Sequence, residues 1–279
     1  MIGMVRLPEE MALPEGFVPP EPPDPPAAPK DAATVVLVRE GAEGTEVFLQ
    51  RRVAGMAFAG GMTVFPGGGV DPRDSDVSVA WSGPEPGWWA ERFGCSTGLA
   101  RALVCAAVRE TFEESGVLLA GPAADEVVGD TSRYADARSA LVSRDVSLAE
   151  FLSDAGLVLR ADLLRPWANW VTPEAEPKRY DTRFFLAAMP AGQRADAVTT
   201  EASEAYWRTP QQALADWREG RCGLLPPTWV TLTEVAECGG VRAALDAERG
   251  LGKVIPRLVR RDGRWRAVLP GEPGYEEAK

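Results

Sequence analysis

The chain has 279 residues, 45% of them hydrophobic, which suits one or two domains at about 150 residues each. Its 30 Lys and Arg against 41 Asp and Glu leave a net charge of −11, which argues against a broad basic surface built to coat nucleic acid or anionic lipid. It contains no histidine, which excludes Ser-His-Asp and Cys-His catalysis, histidine general bases and every His-containing zinc site.

Any chemistry must therefore rest on carboxylates, Lys, Tyr, Ser, Cys, a metal or a cofactor. Cys95, Cys105, Cys222 and Cys238 form no C-x-x-C pair, so small buried hydrophobes in a reducing compartment are expected rather than a zinc ribbon or a disulfide scaffold. The N-terminal residues lack the basic start and apolar stretch of a signal peptide. No window approaches the ~18 uncharged apolar residues that span a bilayer. These features predict a soluble, cytoplasmic protein with no membrane partner.

Nine of the first thirty residues are proline, including the run PPEPPDPP at 19–26, so residues 1–31 read as an extended surface arm. ATVVLVRE (33–40) and TEVFLQRR (45–52), separated by GAEG, predict a β-hairpin. MTVFPGGGV (62–70) predicts a third strand ending in a glycine turn. Residues 71–100 read as irregular, with Trp88 and Trp89 in a Pro/Gly setting that favours loop packing over a cover for a cleft. Ser96 and Thr97 can cap a helix over 97–116 that stops at Gly116.

Val117–Leu119 reads as a strand, and 121–165 as helical with 147–156 the clearest piece. Strands follow at 168–173, 181–189 and 203–209, with Phe184 and Phe185 in the core. Helices are expected at 209–220, 226–238 and 241–250, then a hairpin around Asp262-Gly263. No internal repeat stands out.

The segment RETFEESGV (109–117) is the richest in chemistry. Glu110, Glu113 and Glu114 stand at i, i+3 and i+4, which places them on one face of the helix. Such a cluster is tolerated around a hard divalent cation, or when it faces bulk water. Val104, Ala107, Val108 and Thr111 form the apolar stripe opposite. Arg109 lies one turn before Glu113 and can hold that carboxylate in place. Upstream, Phe65-Pro66-Gly67-Gly68 ends an apolar strand with a turn that brings backbone close to whatever the helix binds.

Together these residues resemble the Nudix box, G-x5-E-x7-R-E-U-x-E-E-x-G-U with U apolar. Arg109 to Val117 match its second half and Gly68 its first glycine. Arg109 follows Gly68 by 41 positions where the family has fourteen, and Arg101 stands where the box has its first Glu. An insertion over about 71–98 accounts for the spacing. A split box of this kind is similar to the subgroup of coenzyme A diphosphatase-like Nudix proteins, as are 172–185, 201–207 and 224–232. Leu49-x-x-Arg52 and Gly61 are similar to the coenzyme A motif of related hydrolases, with Ala57 in place of its second arginine.

The resemblance implies an α/β fold, a Nudix α/β/α sandwich with a mixed sheet, an inserted loop and a C-terminal helical extension. The Nudix domain would cover 32–220, with 221–279 packed on it. It implies a metal-dependent diphosphatase acting on a nucleoside diphosphate derivative, either coenzyme A-like or dinucleotide-like. Glu110, Glu113 and Glu114 would hold Mg²⁺ or Mn²⁺, helped by a carbonyl of Gly67 or Gly68. Glu113, Glu114 and Arg109 would be catalytic, Glu201 or Glu204 the general base, and Arg52 or Arg179 a phosphate contact. Many family members pair, so a homodimer is among the expected partners. Two other readings compete: a non-catalytic Nudix module that binds a nucleotide metabolite, and an isomerase of prenyl diphosphates, whose cleft cysteine neither Cys95 nor Cys105 obviously matches.

Overall fold

The structure, a computed structural model, describes residues 6–11, 21, 23–55, 59–199 and 202–278. The expected hairpin is present as β1 (Lys30–Gly41) and β2 (Gly44–Arg52), paired antiparallel. The next apolar run makes two strands rather than one. Pro66 has no N–H to offer a neighbour, and the run divides around it into β3 (Met62–Val64), paired with β2, and β4 (Gly67–Gly69), paired with β1.

The segment expected as an inserted loop is partly helical. It contains β5 (Trp81–Ser82) and α1 (Pro86–Phe93). Pro86 occupies the first turn, and Gly94 ends the helix in the left-handed region at φ 61°. Trp89 is fully buried, with ring centroids 6.0 Å from Phe93 and 5.5 Å from Phe185. Its Nε1 donates to the Pro84 carbonyl at 3.1 Å. Trp89 thus anchors the insertion to the core.

The long helix is α2 (Thr97–Ser115), with Ser96 Oγ accepting from the Leu99 N–H and Gly116 ending it at φ 72°. Val117–Leu119 is not a strand, and only β6 (Ala120–Gly121) follows. The backbone of Leu118 is satisfied by a side chain instead. The Gln193 amide accepts from its N–H at 2.8 Å and donates to its carbonyl at 2.9 Å. The expected helical region resolves into α3 (Ala135–Val142), α4 (Leu148–Asp154) and β7 (Val158–Arg160). A reciprocal cap between Ser147 and Glu150 starts α4, and β7 pairs with β5 and β6 in a small sheet.

Then come β8 (Leu164–Val171), β9 (Tyr180–Ala188), β10 (Ala202–Arg208), α5 (Pro210–Arg218), β11 (Gly223–Leu224), α6 (Pro226–Glu237) and α7 (Val241–Leu245). α7 is shorter than the expected 241–250, because Arg249 leaves the helical path to pair with Glu234 and to lie 4.3 Å over the Trp167 ring. β12 (Lys253–Val254) runs parallel to β8, and β13 (Arg257–Arg261) with β14 (Arg264–Val268) make the expected hairpin, turning on Asp262 and Gly263 at φ 49° and 78°.

The main sheet runs β11-β3-β2-β1-β9-β8-β12, with β1 parallel to β9 and antiparallel to β2. Alternation along its strands builds two cores. Val35, Leu37, Phe185 and Ala187 pack with α2, while Val36, Val38, Phe184 and Leu186 pack with α6. The result is the expected α/β/α sandwich with a mixed sheet, and β11 and β12 bring the C-terminal residues into it.

Arg179 donates to the carbonyls of Ala27 and Thr172, so it ties the described end of the arm to the sheet. Among the described residues all four cysteines are unpaired, and no helix is long and apolar enough to cross a membrane.

Candidate active site

α2 buries Leu103, Val104, Ala107 and Val108 against the sheet and carries Glu110, Glu113 and Glu114 in its last turns. The C-terminal end of a helix is the negative end of its dipole, a poor place for three carboxylates without support. Its last carbonyls are tied down from three directions. Glu113 O accepts from Arg138 Nε at 2.9 Å, Glu114 O from Gln50 Nε2 at 3.1 Å, and Ser115 O from the Asp196 N–H at 2.9 Å. Arg138 in turn holds both carboxylate oxygens of Asp196 at 2.9 Å.

Arg109 is the hub of the acidic face. Its Nε and Nη2 donate to the two oxygens of Asp74 at 2.9 Å, Nη2 also to Gly69 O at 2.9 Å, and Nη1 to Glu110 Oε1 at 2.7 Å and Glu113 Oε1 at 3.2 Å. A guanidinium has five N–H donors, and here all of them stay within the protein. Arg109 therefore orients carboxylates in this arrangement, rather than reaching for substrate.

The glycine turn presses against this array. The Gly67 N–H donates to Glu114 Oε2 at 2.9 Å. A Cβ on Gly68 would lie 2.5 Å from the Glu110 carboxyl, and one on Gly67 would lie 2.4 Å from Ala33 O. Only glycine lets strand β4 lie this close to β1 and α2.

Burial pushes the Glu110 carboxyl up to about 7, opposed by Arg109 and reinforced by Glu113. Burial raises Glu113 as well, again opposed by Arg109. Burial alone would lower Arg109, but its bond to Asp74 and the surrounding carboxylates hold it above its ordinary value. The cluster thus holds more acid than its one central guanidinium offsets. Glu110 and Glu113 lean on Arg109 and Glu114 leans on Gly67. Among the described residues no three potential ligands converge on one point as they stand.

The other expected site residues fall into three places. Arg52 ends β2 half-buried and pairs with Ala202, on the same face as Gln50 and α2. Glu201 and Ala57 lie outside the described residues. Glu204 is on the opposite face. It pairs with Arg51, because a bulge between Ala202 and Glu204 inverts the alternation. There it lines a separate cavity of about 290 Å³ with Arg51, Tyr206, Arg208, Asp216, Arg221 and Cys222. The structure therefore does not bring Glu204 to the acidic face.

Arg101 lies 5.2 Å from the Trp81 ring centroid, stacked on the insertion. Cys105 is buried, which pushes its thiol up to about 12 and suits a core residue. The partner missed in the sequence is Asp74, which is 3% exposed and lies 35 positions before Arg109. No spacing rule links the two.

Comparisons agree with this geometry. The family model described as the NUDT19 Nudix domain matches residues 97–235. A solved structure of a NUDIX hydrolase from Alicyclobacillus acidocaldarius superposes with a TM-score of 0.67 at 27% identity, over 81% of this chain and 99% of that one. The chain belongs to the Nudix superfamily.

Within that superfamily it is similar to proteins named acyl-coenzyme A diphosphatase NUDT19. The one from Xenopus laevis is 25% identical over 228 residues, covering 68% of this chain and 59% of the relative. The one from Gallus gallus is 25% identical over 236 residues, covering 76% of this chain and 59% of the relative. The chain thus spans about three fifths of the length of these curated relatives.

Proposed function

We propose that the chain is a Nudix hydrolase that, with Mg²⁺ or Mn²⁺, cleaves the diphosphate linkage of a nucleoside diphosphate derivative. Coenzyme A or an acyl-coenzyme A is the favoured substrate. One observation carries the reading: Glu110, Glu113 and Glu114 share the end of α2 and meet the Gly67–Gly68 turn. The names of the relatives favour the coenzyme A class.

The donor set fits a hard cation, because every side-chain donor is a carboxylate oxygen. The charge balance fits too, since Glu110, Glu113 and Asp74 share the single guanidinium of Arg109. Glu110, Glu113 and Glu114 would hold the ion. When bound, it would neutralise phosphate charge and activate a water for attack on phosphorus.

The chain's own residues supply the frame. Arg109 orients Glu110 and Glu113, and the Gly67 N–H holds Glu114. Arg52, on the α2 face, is the candidate phosphate contact, and Glu201 the candidate general base.

The test is a panel of coenzyme A, acyl-coenzyme A and dinucleotides with and without Mg²⁺, followed by release of phosphomonoester products. Glu114→Gln is the control: it keeps an acceptor for the Gly67 N–H while removing the charge, so it should fold and lose turnover. Turnover near wild type in that variant would overturn the site. Binding without turnover across the panel would identify a binding module instead.

A further inference from the structure

We propose that Asp74, supplied by the inserted segment, is a positioning residue for the metal-binding carboxylates and acts through Arg109. The inference rests on the metal-dependent reading of the site given above. The box position that carries Glu in the family pattern is here Arg101, and its guanidinium lies over the Trp81 ring. Arg109 takes its acid from elsewhere. Asp74 sits in a 3₁₀ turn, Pro72–Ser75, and its own carboxylate accepts from the Asp71 N–H at 2.8 Å. That bond fixes the Asp74 side chain before it meets Arg109.

The contact itself is bidentate, from Nε and Nη2 at 2.9 Å each, between groups whose side chains are 11% and 2% exposed. A two-point contact fixes the plane of a guanidinium as well as its position. With that plane set, the remaining Nη1 can point only at Glu110 and Glu113, and it bonds both. Without Asp74, only the Gly69 carbonyl would hold the far side of the guanidinium, and a single contact leaves it able to turn and pair fully with either glutamate. The two carboxylates would then lose their fixed spacing.

The insertion is thus part of the active site, and Trp89 and Phe93 in α1 hold it against the core.

The experiment measures Mn²⁺ affinity by calorimetry on the full chain, alongside Mg²⁺-dependent turnover. Asp74→Asn keeps the shape but presents an amide to N–H donors. It should weaken Mn²⁺ binding and lower kcat by roughly 10- to 100-fold, as loss of an outer support of a metal site typically does. KM should change far less. Asp74→Glu restores the charge and should recover most of the affinity, which a merely structural defect would not.

Arg109→Gln completes a cycle. If Asp74 acts through Arg109, the double variant D74N/R109Q binds Mn²⁺ no more weakly than R109Q alone. That double variant also removes the buried unpaired charge that could stop D74N from folding. Unchanged Mn²⁺ affinity in D74N, or a further tenfold loss in the double variant, would overturn the proposal. A wild-type chain that binds no Mn²⁺ would overturn the metal-dependent reading itself, and this inference with it.

Discussion

Gly68 offers the sharpest test of how closely the turn and the helix must meet. An alanine Cβ there would lie 2.5 Å from the Glu110 carboxyl, while ordinary contact begins at 3.4 Å, so the carboxyl must retreat by about 0.9 Å. It is held 2.7 Å from Arg109 Nη1, and a retreat of that size disturbs this bond. A misplacement of about 1 Å in a catalytic array can cost on the order of 100-fold in rate. Gly68→Ala should therefore lose roughly that much Mg²⁺-dependent turnover. Its melting temperature should change little, because the obstacle is the far end of a side chain.

Gly67→Ala is the matched control. Its Cβ would meet backbone, 2.4 Å from Ala33 O and 2.7 Å from Thr34 Cα. Overpacking of this kind costs about 1–3 kcal/mol, so that variant should be visibly less stable. Turnover and melting curves on both variants decide the matter. Full activity in Gly68→Ala would show that Glu110 does not need its observed place.

Glu204→Gln should alter turnover by less than about threefold, because its side chain faces away from α2; a loss as deep as that of Glu114→Gln would return it to the site. Trp89→Ala should destabilise the fold by about 3–5 kcal/mol, since the ring is fully buried; calorimetry would read a fall in melting temperature of roughly 10 °C. A third prediction concerns pH in the presence of a chelator. Glu110 binds its proton more tightly folded, at about 7, than at its ordinary 4.5, so it favours the native state most at low pH and that contribution is lost as pH rises through 7. Glu110→Gln should therefore raise the melting temperature relative to wild type more at pH 8 than at pH 5, and an equal shift at both would refute the reasoning.

The Nudix half-box was legible because it depends on local rules. Helical spacing fixes which residues share a face, Ser96 and Gly116 mark the ends of α2, and both held. Phe184 and Phe185 were legible as core residues, though alternation sends them to opposite sides of the sheet. What escaped was non-local. Asp74 meets Arg109 only because the insertion folds back over α2. Leu118 finds its backbone partner in a side chain 75 positions later, which left no room for the expected strand. Glu204 looked suitable by the family resemblance and its place before a strand, yet one extra residue in β10 turned it to the other face. A single bulge reverses every assignment made by counting in twos.

Three of the long-range contacts at the end of α2 bear on the order in which the molecule forms. A helix can wind from local contacts alone, but the partners of this turn come from distant chain. Gln50 is 64 positions from Glu114, Gly67 is 47 from it, and Arg138 is 25 from Glu113. Such contacts form only after the loop-closure entropy of long chain segments has been overcome, whereas helical turns need only local contacts. The acidic end of α2 should thus gain its final shape late, after β2, the glycine turn and α3 have all docked. A chain still emerging from the ribosome would then carry the three glutamates without their native spacing, and under the proposed function metal uptake would report completed folding.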